Sequence, residues 1–222
     1  MGKPRLPKRE KLKKNARVTS RIQSIANTFV GDRLTAAHNI AKFVLEQLPY
    51  EEGRADFKTR LFRMSAGHAL RKKITVGDFH CVERSNLAIA VLHGAGISSW
   101  LVRGLRFDSL RQKWLFHDAV EFVHGGKIYT MDFFIKKHGG FVINEGNAEK
   151  HINVQSQRPS IVFRGADSNH LGITNWEDYV RFSNRFFKNI GVELEANEKR
   201  VRELIKHRII PKEVAPKILS LL

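Results

Sequence analysis

The most informative pattern of the sequence is the stretch Gly77-Asp-Phe-His-Cys-Val-Glu-Arg-Ser-Asn-Leu-Ala-Ile-Ala-Val-Leu-His-Gly-Ala-Gly96. It places Cys81, the only cysteine of the sequence, at the start of a predicted helix. Polar residues at 83–86 lead into the unbroken apolar run 87–92, which is too apolar for an exposed helix and predicts a buried one. The glycines at the end of the stretch are expected to stop it. The rest of the chain is arranged around this helix.

The position of Cys81 favours a reactive thiol. A thiol at a helix N-terminus faces backbone N–H groups without intrahelical partners and the positive end of the helix dipole, which both favour the thiolate. The same N–H groups can receive an oxyanion. A cysteine that opens a buried helix is also a common core residue. The stretch alone therefore leaves both a nucleophile and a core thiol open.

Composition sets the class of protein. The 222 residues are 42% hydrophobic, which excludes a wholly disordered chain and allows one sizeable core. A single cysteine excludes an intrachain disulfide and suits a reducing compartment. The sequence has no apolar signal segment and no run of about 18 apolar residues. We expect a soluble, cytoplasmic protein with no membrane partner.

The first segment is strongly basic. The chain has a net charge of +17, and residues 1–21 hold nine Lys or Arg against Glu10 alone. Pro4 and Pro7 interrupt its beginning, so residues 1–24 are predicted to form a flexible basic arm. Such an arm is either a solvated tail or a docking segment for nucleic acid or another polyanion.

Two helices are predicted before the cysteine helix. Apolar residues recur at three- and four-residue steps from Leu34 to Leu48, after Asp32 and before Pro49, which stops the pattern. A polar loop follows, and helical spacing resumes over residues 57–70. Both helices, together with the buried cysteine helix, are expected to pack on an antiparallel sheet.

Beyond the cysteine helix the apolar residues recur about every second position instead of at helical spacing. This change predicts strands at 99–105, 114–123 and 127–134. Gly125 and Gly126 can take the positive φ angles of a two-residue hairpin turn. With these glycines at the turn centre, the numbers of opposing residues sum to 251. Ala119 then lies opposite Asp132.

This register makes His117 and Asp132 a diagonal pair on one face of the hairpin. Their Cβ atoms are expected to lie about 7–8 Å apart, within reach of an imidazole and a carboxylate. Asp118 points to the opposite face. Cys81 on a helix facing the hairpin completes a nucleophile, a base and an orienting acid. His80 is a rival base, although adjacency to Cys81 directs it away on most backbones.

These residues together resemble the transglutaminase-like superfamily, whose members share a papain-like core. The resemblance runs from about Ile40 to Phe134. It consists of a Gly and a Cys that open a helix (Gly77 to Cys81), a Gly-Ile step into a strand (Gly96 and Ile97), a His on the next strand (His117) and an Asp on the following one (Asp132). It implies Cys81 as nucleophile, His117 as general base and acid, and Asp132 as the residue that orients His117.

The sequence departs from the family pattern at two places. Many members have Gly-Asp-Cys before the helix, whereas the segment from Gly77 to Cys81 is two residues longer. Many have His-Ala-Trp at the histidine strand, where this chain has His117-Asp118-Ala119. The shape of the substrate groove and the class of reaction therefore stay open. No residue upstream of Cys81 stands out as a second hydrogen-bond donor to the oxyanion.

The C-terminal part is predicted to be helical. A further strand is expected within 153–163, and Thr174 to Glu177 match a capping box that precedes an aromatic helix. We expect residues 25–168 to form the catalytic core and residues 169–222 a helical extension packed on it. No nucleotide fingerprint and no His-Glu-x-x-His spacing occurs, so neither a cofactor nor a metal is expected.

The sequence thus predicts an α+β fold with a papain/transglutaminase-like core. The predicted function is a cysteine-dependent enzyme that attacks a protein or peptide amide through a thioester, as a transglutaminase-like peptidase or deamidase. Transfer of the acyl group to an amine stays open, because the fate of a thioester depends on whether water or an amine reaches it. The alternative is a catalytically inactive fold that binds nucleic acid or another polyanion through residues 1–21.

Overall fold

The computed structural model describes residues 16–49, 64–73, 80–108, 113–134, 140–148 and 162–165. These residues form an α+β fold, as predicted, with helices on a five-stranded antiparallel sheet. The helices are α1 (Ser20–Ala26), α2 (Arg33–Gln47), α3 (Ala66–Lys72) and α4 (His80–Gly94). The strands are β1 (Ser99–Asp108), β2 (Lys113–His124), β3 (Lys127–Phe134), β4 (Gly140–Glu145) and β5 (Val162–Gly165).

Helix α2 begins and ends where its sequence predicts. The Asp32 carboxylate accepts hydrogen bonds from the backbone N–H groups of Leu34 and Thr35, each at 3.0 Å, and so caps the first turn. Leu48 closes the helix, and the following Pro49 cannot continue it. The buried side chains of α2 lie on the face that contacts α4.

Helix α3 is shorter than the predicted helix over residues 57–70. Within the described chain it begins at Ala66, because Ser65 has extended backbone angles and accepts a hydrogen bond from the N–H of His68 at 3.2 Å. A serine side chain competes for backbone N–H groups and favours the cap over the helix interior. The predicted uninterrupted helix is therefore wrong at Ser65, and residues 57–63 lie outside the described ranges.

Helix α1 overlaps the end of the segment predicted as a basic arm, because residues 20–24 belong to both. Thr19 caps it, and Ile22 and Ala26 are buried in the main core. The side chain of Gln23 donates to the carbonyl oxygen of Gly94 at 2.8 Å, which ties α1 to the end of α4. The expected boundary between the basic arm and the catalytic core, at residue 24, thus falls within a packed helix. Residues 1–15 of the arm lie outside the described ranges.

The sheet order is β4-β3-β2-β1-β5. Gly125 and Gly126 have φ angles of 56° and 76° at the turn between β2 and β3, as the hairpin requires. Ala119 lies opposite Asp132, which confirms the predicted register. The bounds of β3 also agree with the prediction.

The two faces of the sheet carry different cores. Val120, Phe122 and Met131 belong to the large cluster that includes α1, α2, α3 and α4. Trp100 and Val102 pack with Ala148 in a smaller cluster on the opposite face. Strand alternation places His117 and Ala119 on the face of the smaller cluster.

Part of the predicted C-terminal half lies outside the described residues. The expected strand at 153–163 overlaps β5 at Val162 and Phe163, and the predicted helical extension 169–222 is not described. Among the helices described, none is both long and apolar enough to cross a membrane.

Candidate active site

Helix α4 is buried along nearly its whole length. Every residue from His80 to Leu92 is at most 5% exposed, so the polar first half is as inaccessible as the apolar second half. The second half packs against the sheet and helices α1, α2 and α3. The first half therefore forms a buried polar layer, with Cys81 in the first turn.

His117 and Asp132 are joined directly. His117 lies in the first half of β2, and its Nε2 atom donates a hydrogen bond to Oδ1 of Asp132 on β3. Asp132 is fully buried, whereas His117 is 8% exposed. The diagonal pairing predicted from the hairpin register is therefore present, and it leaves Nδ1 of His117 as the ring nitrogen directed to other partners.

Cys81 is in contact with the same imidazole. Burial lowers the pKa of His117, but the charge and hydrogen bond of Asp132, followed by the hydrogen bond and charge of Cys81, outweigh this effect. The pKa of His117 is consequently raised well above its ordinary value. The arrangement favours an imidazolium at neutral pH, held between a carboxylate and a thiol.

Asp118 takes no part in this contact, as the parity of β2 predicts. Its carboxylate accepts two hydrogen bonds from Arg103 on β1, at 2.6 and 2.5 Å, in a buried ion pair. The hydroxyl of Ser85 donates to the carbonyl oxygen of Asp118 at 3.4 Å and so links α4 to β2 one turn beyond Cys81. The ion pair was not predicted, because it depends on the register of β1 against β2.

Arg84 is a second buried cation of this layer that the sequence did not single out. Its Nε atom donates to the carbonyl oxygen of Leu48 at 2.9 Å, at the end of α2. The sequence gives no signal that Arg84 is buried, because a charged residue is ordinarily expected at the exposed surface of a helix.

A third polar group lies on the same sheet face as His117. The carboxylate of Glu121 is fully buried and accepts hydrogen bonds from Nε1 of Trp100 at 2.5 Å and from the backbone N–H of Ala148 at 2.7 Å. Arg164 on β5 adds two more, at 2.8 and 2.9 Å. This network ties β1, β2 and β5 together beside the His117–Asp132 pair.

His80, the rival base, is the first residue of α4 and is buried. The contact between Cys81 and His117 is the reason to assign His117 as the partner of the thiol. Across the described ranges, no group of three or more His, Cys, Asp or Glu side chains is arranged to hold a metal ion.

Neither a family model nor a curated protein matches the sequence. The fold is similar to the crystal structure of a proposed cysteine protease from Cytophaga hutchinsonii, with a TM-score of 0.40 and 16% identity. The similarity covers 64% of this chain and 46% of the other, so the matched part spans less than half the length of that protein.

Proposed function

We propose that the protein is a cysteine-dependent enzyme that cleaves amide bonds through a thioester, with Cys81 as nucleophile. His117 acts as general base and acid, and Asp132 orients the imidazole. The observation that carries the proposal is the unbroken line of contacts from the Cys81 thiol through the His117 ring to the Asp132 carboxylate. A nucleophile, a base and an orienting acid in that order are the minimum for covalent acyl transfer.

In the first half-reaction His117 holds the proton of Cys81 as an imidazolium, and the thiolate sulfur attacks the carbonyl carbon of the amide. The carbonyl oxygen becomes an oxyanion, which the backbone N–H groups at the start of α4 can receive, since they have no intrahelical acceptor. His117 then gives its proton to the amide nitrogen. The C–N bond breaks, the amine leaves, and the acyl group remains on Cys81 as a thioester.

In the second half-reaction water attacks the thioester carbon while His117 accepts a proton from it. The C–S bond breaks, a carboxylic acid is released, and the proton returns to the thiol. An amine in place of water would give a new amide by the same steps. We favour hydrolysis, by a transglutaminase-like peptidase or deamidase with a papain-like core. The buried cysteine helix beside an antiparallel sheet supports that assignment.

The proposal is tested with the purified protein and a library of fluorogenic peptide amides and glutamine peptides. Wild-type protein is expected to release amine or ammonia, and Cys81→Ala is expected to release none. Activity that survives in Cys81→Ala would refute the assigned nucleophile. Accumulation of a covalent acyl adduct on Cys81, found by mass spectrometry, would support the thioester.

A second candidate function is binding of nucleic acid or another polyanion through residues 1–21. It is favoured by nine Lys or Arg against Glu10 in that segment. If this segment neutralises phosphates, the logarithm of affinity for duplex DNA falls linearly with the logarithm of salt concentration, by about 0.9 per phosphate. Deleting residues 1–15 is expected to lower that slope by several units without unfolding α1. An unchanged slope would exclude this function for the segment.

A further inference from the structure

A fully buried arginine lies one turn along α4 from Cys81. Arg84 is 1% exposed, and its position three residues after Cys81 puts both side chains on one face of the helix. Helical side chains lean toward the N-terminus of the helix. We therefore expect the Arg84 side chain to lie over the turn that carries Cys81.

The Arg84 guanidinium is anchored at one nitrogen and unsatisfied at another. Its Nε atom donates to the carbonyl oxygen of Leu48 at 2.9 Å, which fixes the group against the end of α2. Its Nη1 atom is buried and has no hydrogen-bond partner among the residues that the structure describes. A buried guanidinium with an open donor is costly unless negative charge lies close to it. The geometry thus points to an anionic group beside Arg84.

Cys81 and Glu83 are the acidic groups that act on this guanidinium. Burial lowers the pKa of Arg84, and Cys81, followed by Glu83, partly offsets the change. Such an interaction is reciprocal. The buried charge of Arg84 lies on the same helix face as Cys81, and it attracts negative charge on the sulfur.

The other charged groups around Cys81 largely balance one another. The His117 imidazolium is matched by Asp132, and on the facing strands Arg103 is matched by Asp118. His80 and Glu83 are the further titratable groups in the first turn of α4, and both are buried. Glu83 also attracts the charge of Arg84 and so reduces the effect of that charge on Cys81.

We propose that Arg84 is a positioning residue that stabilises the thiolate of Cys81 from within the same helix. This role rests on the proposed function, because it matters only if Cys81 is the nucleophile. It gives the thiolate a cation that does not take part in proton transfer. The thiolate is therefore stabilised before it attacks the amide and again when the C–S bond of the thioester breaks.

The test uses the rate at which iodoacetamide alkylates Cys81 in the full chain, followed by mass spectrometry between pH 5 and pH 10. The proteins are wild type, Arg84→Gln, Arg84→Lys and the control Arg33→Gln, which removes an exposed charge of α2. An opposite charge within about 4–6 Å changes the thiolate fraction at a fixed pH by at least about tenfold. We expect Arg84→Gln to react about tenfold more slowly at pH 6 and within about twofold of wild type at pH 10.

Arg84→Lys keeps the charge but loses the planar anchor at Leu48. We expect it to retain most of the wild-type rate at pH 6, and Arg33→Gln to retain all of it. Equal rates for wild type and Arg84→Gln at pH 6, or a loss in Arg84→Lys as large as in Arg84→Gln, would overturn the role of Arg84. Slow alkylation of wild type at pH 6 would instead overturn the proposed nucleophile, so the two failures are distinguishable.

Discussion

His117 donates a hydrogen bond from Nε2 to Oδ1 of Asp132, its diagonal neighbour on the adjacent strand. The bond fixes both the orientation of the ring and the nitrogen that is left for Cys81. It exists because a two-glycine turn sets the register of β2 against β3. A slip of one residue would send the two side chains to opposite faces of the sheet.

Replacing Cys81 by alanine is expected to remove amide cleavage and leave the fold in place. The change deletes one sulfur atom, so the free energy of unfolding should fall by no more than about 1–2 kcal/mol. Circular dichroism during urea unfolding measures the stability, and amine release measures the activity. A larger loss of stability, with no activity in the wild type, would favour a core cysteine.

Asp132→Asn should impair the reaction without unfolding the chain, with Asp118→Asn as the matched control from the opposite face. Asparagine can still contact the ring but cannot stabilise an imidazolium, so kcat/KM is expected to fall at least about tenfold. Asp118→Asn weakens the buried pair with Arg103 and is expected to lower stability while sparing the alkylation of Cys81. Equal kinetic losses in both variants would contradict the distinct roles of the two carboxylates.

His117→Ala is expected to reduce kcat/KM about 10²- to 10⁴-fold, because it removes the group that carries the proton in both half-reactions. The loss should approach that of Cys81→Ala, since the two residues act as a unit. Full activity in His117→Ala would mean that another residue acts as the base, and His80 would be the first residue to test.

The stability that His117 contributes is expected to depend on pH. Its pKa in the folded protein is raised well above its ordinary value, chiefly because the attraction of Asp132 outweighs burial. The contribution is therefore fully present below the unfolded-state pKa and is lost as pH rises through the folded-state pKa. Urea unfolding of wild type and His117→Ala from pH 5.5 to pH 9.5 should show a difference in stability that shrinks with rising pH. A difference that grows with pH would contradict the direction of the shift.

Gly94→Ala is expected to destabilise the contact between α1 and α4. A Cβ atom at Gly94 would lie 2.7 Å from the Cβ atom of Ala26, which is too close without backbone movement. Overpacking of this kind costs about 1–3 kcal/mol. Gly67→Ala is the control, since its nearest neighbour, Cγ2 of Thr19, lies at 3.4 Å. Adding Ala26→Gly should recover part of the loss in Gly94→Ala, and strictly additive effects would refute the clash.

Local signals made much of this structure predictable. The Asp32 cap and Pro49 define α2, and the two glycines at 125 and 126 fix the hairpin and hence the His117–Asp132 diagonal. The alternation of β2 also excluded Asp118 from that pair. Each of these inferences uses residues that are close in sequence or joined by one tight turn.

Other features depend on contacts that sequence spacing does not specify. The Arg84–Leu48 bond joins two helices, and the Arg103–Asp118 pair requires the register of β1 against β2. The contact of Glu121 with Arg164 needs β5 beside β1. The sequence favours a basic arm over residues 20–24 because few side chains of α1 are buried and basic residues precede the helix. Such pairings follow from packing over long sequence separations.

Alkylation of Cys81 at pH 6 measures whether His117 makes this residue a reactive thiolate. The rate constant of iodoacetamide with Cys81 is measured in folded wild type, in folded His117→Ala and in each protein unfolded in urea, where the same thiol has no neighbours. We predict that folded wild type reacts at least about tenfold faster than its unfolded form. We also predict that His117→Ala loses most of this advantage. A folded wild-type thiol that reacts more slowly than the unfolded one would contradict this role of His117 and identify Cys81 as a core residue.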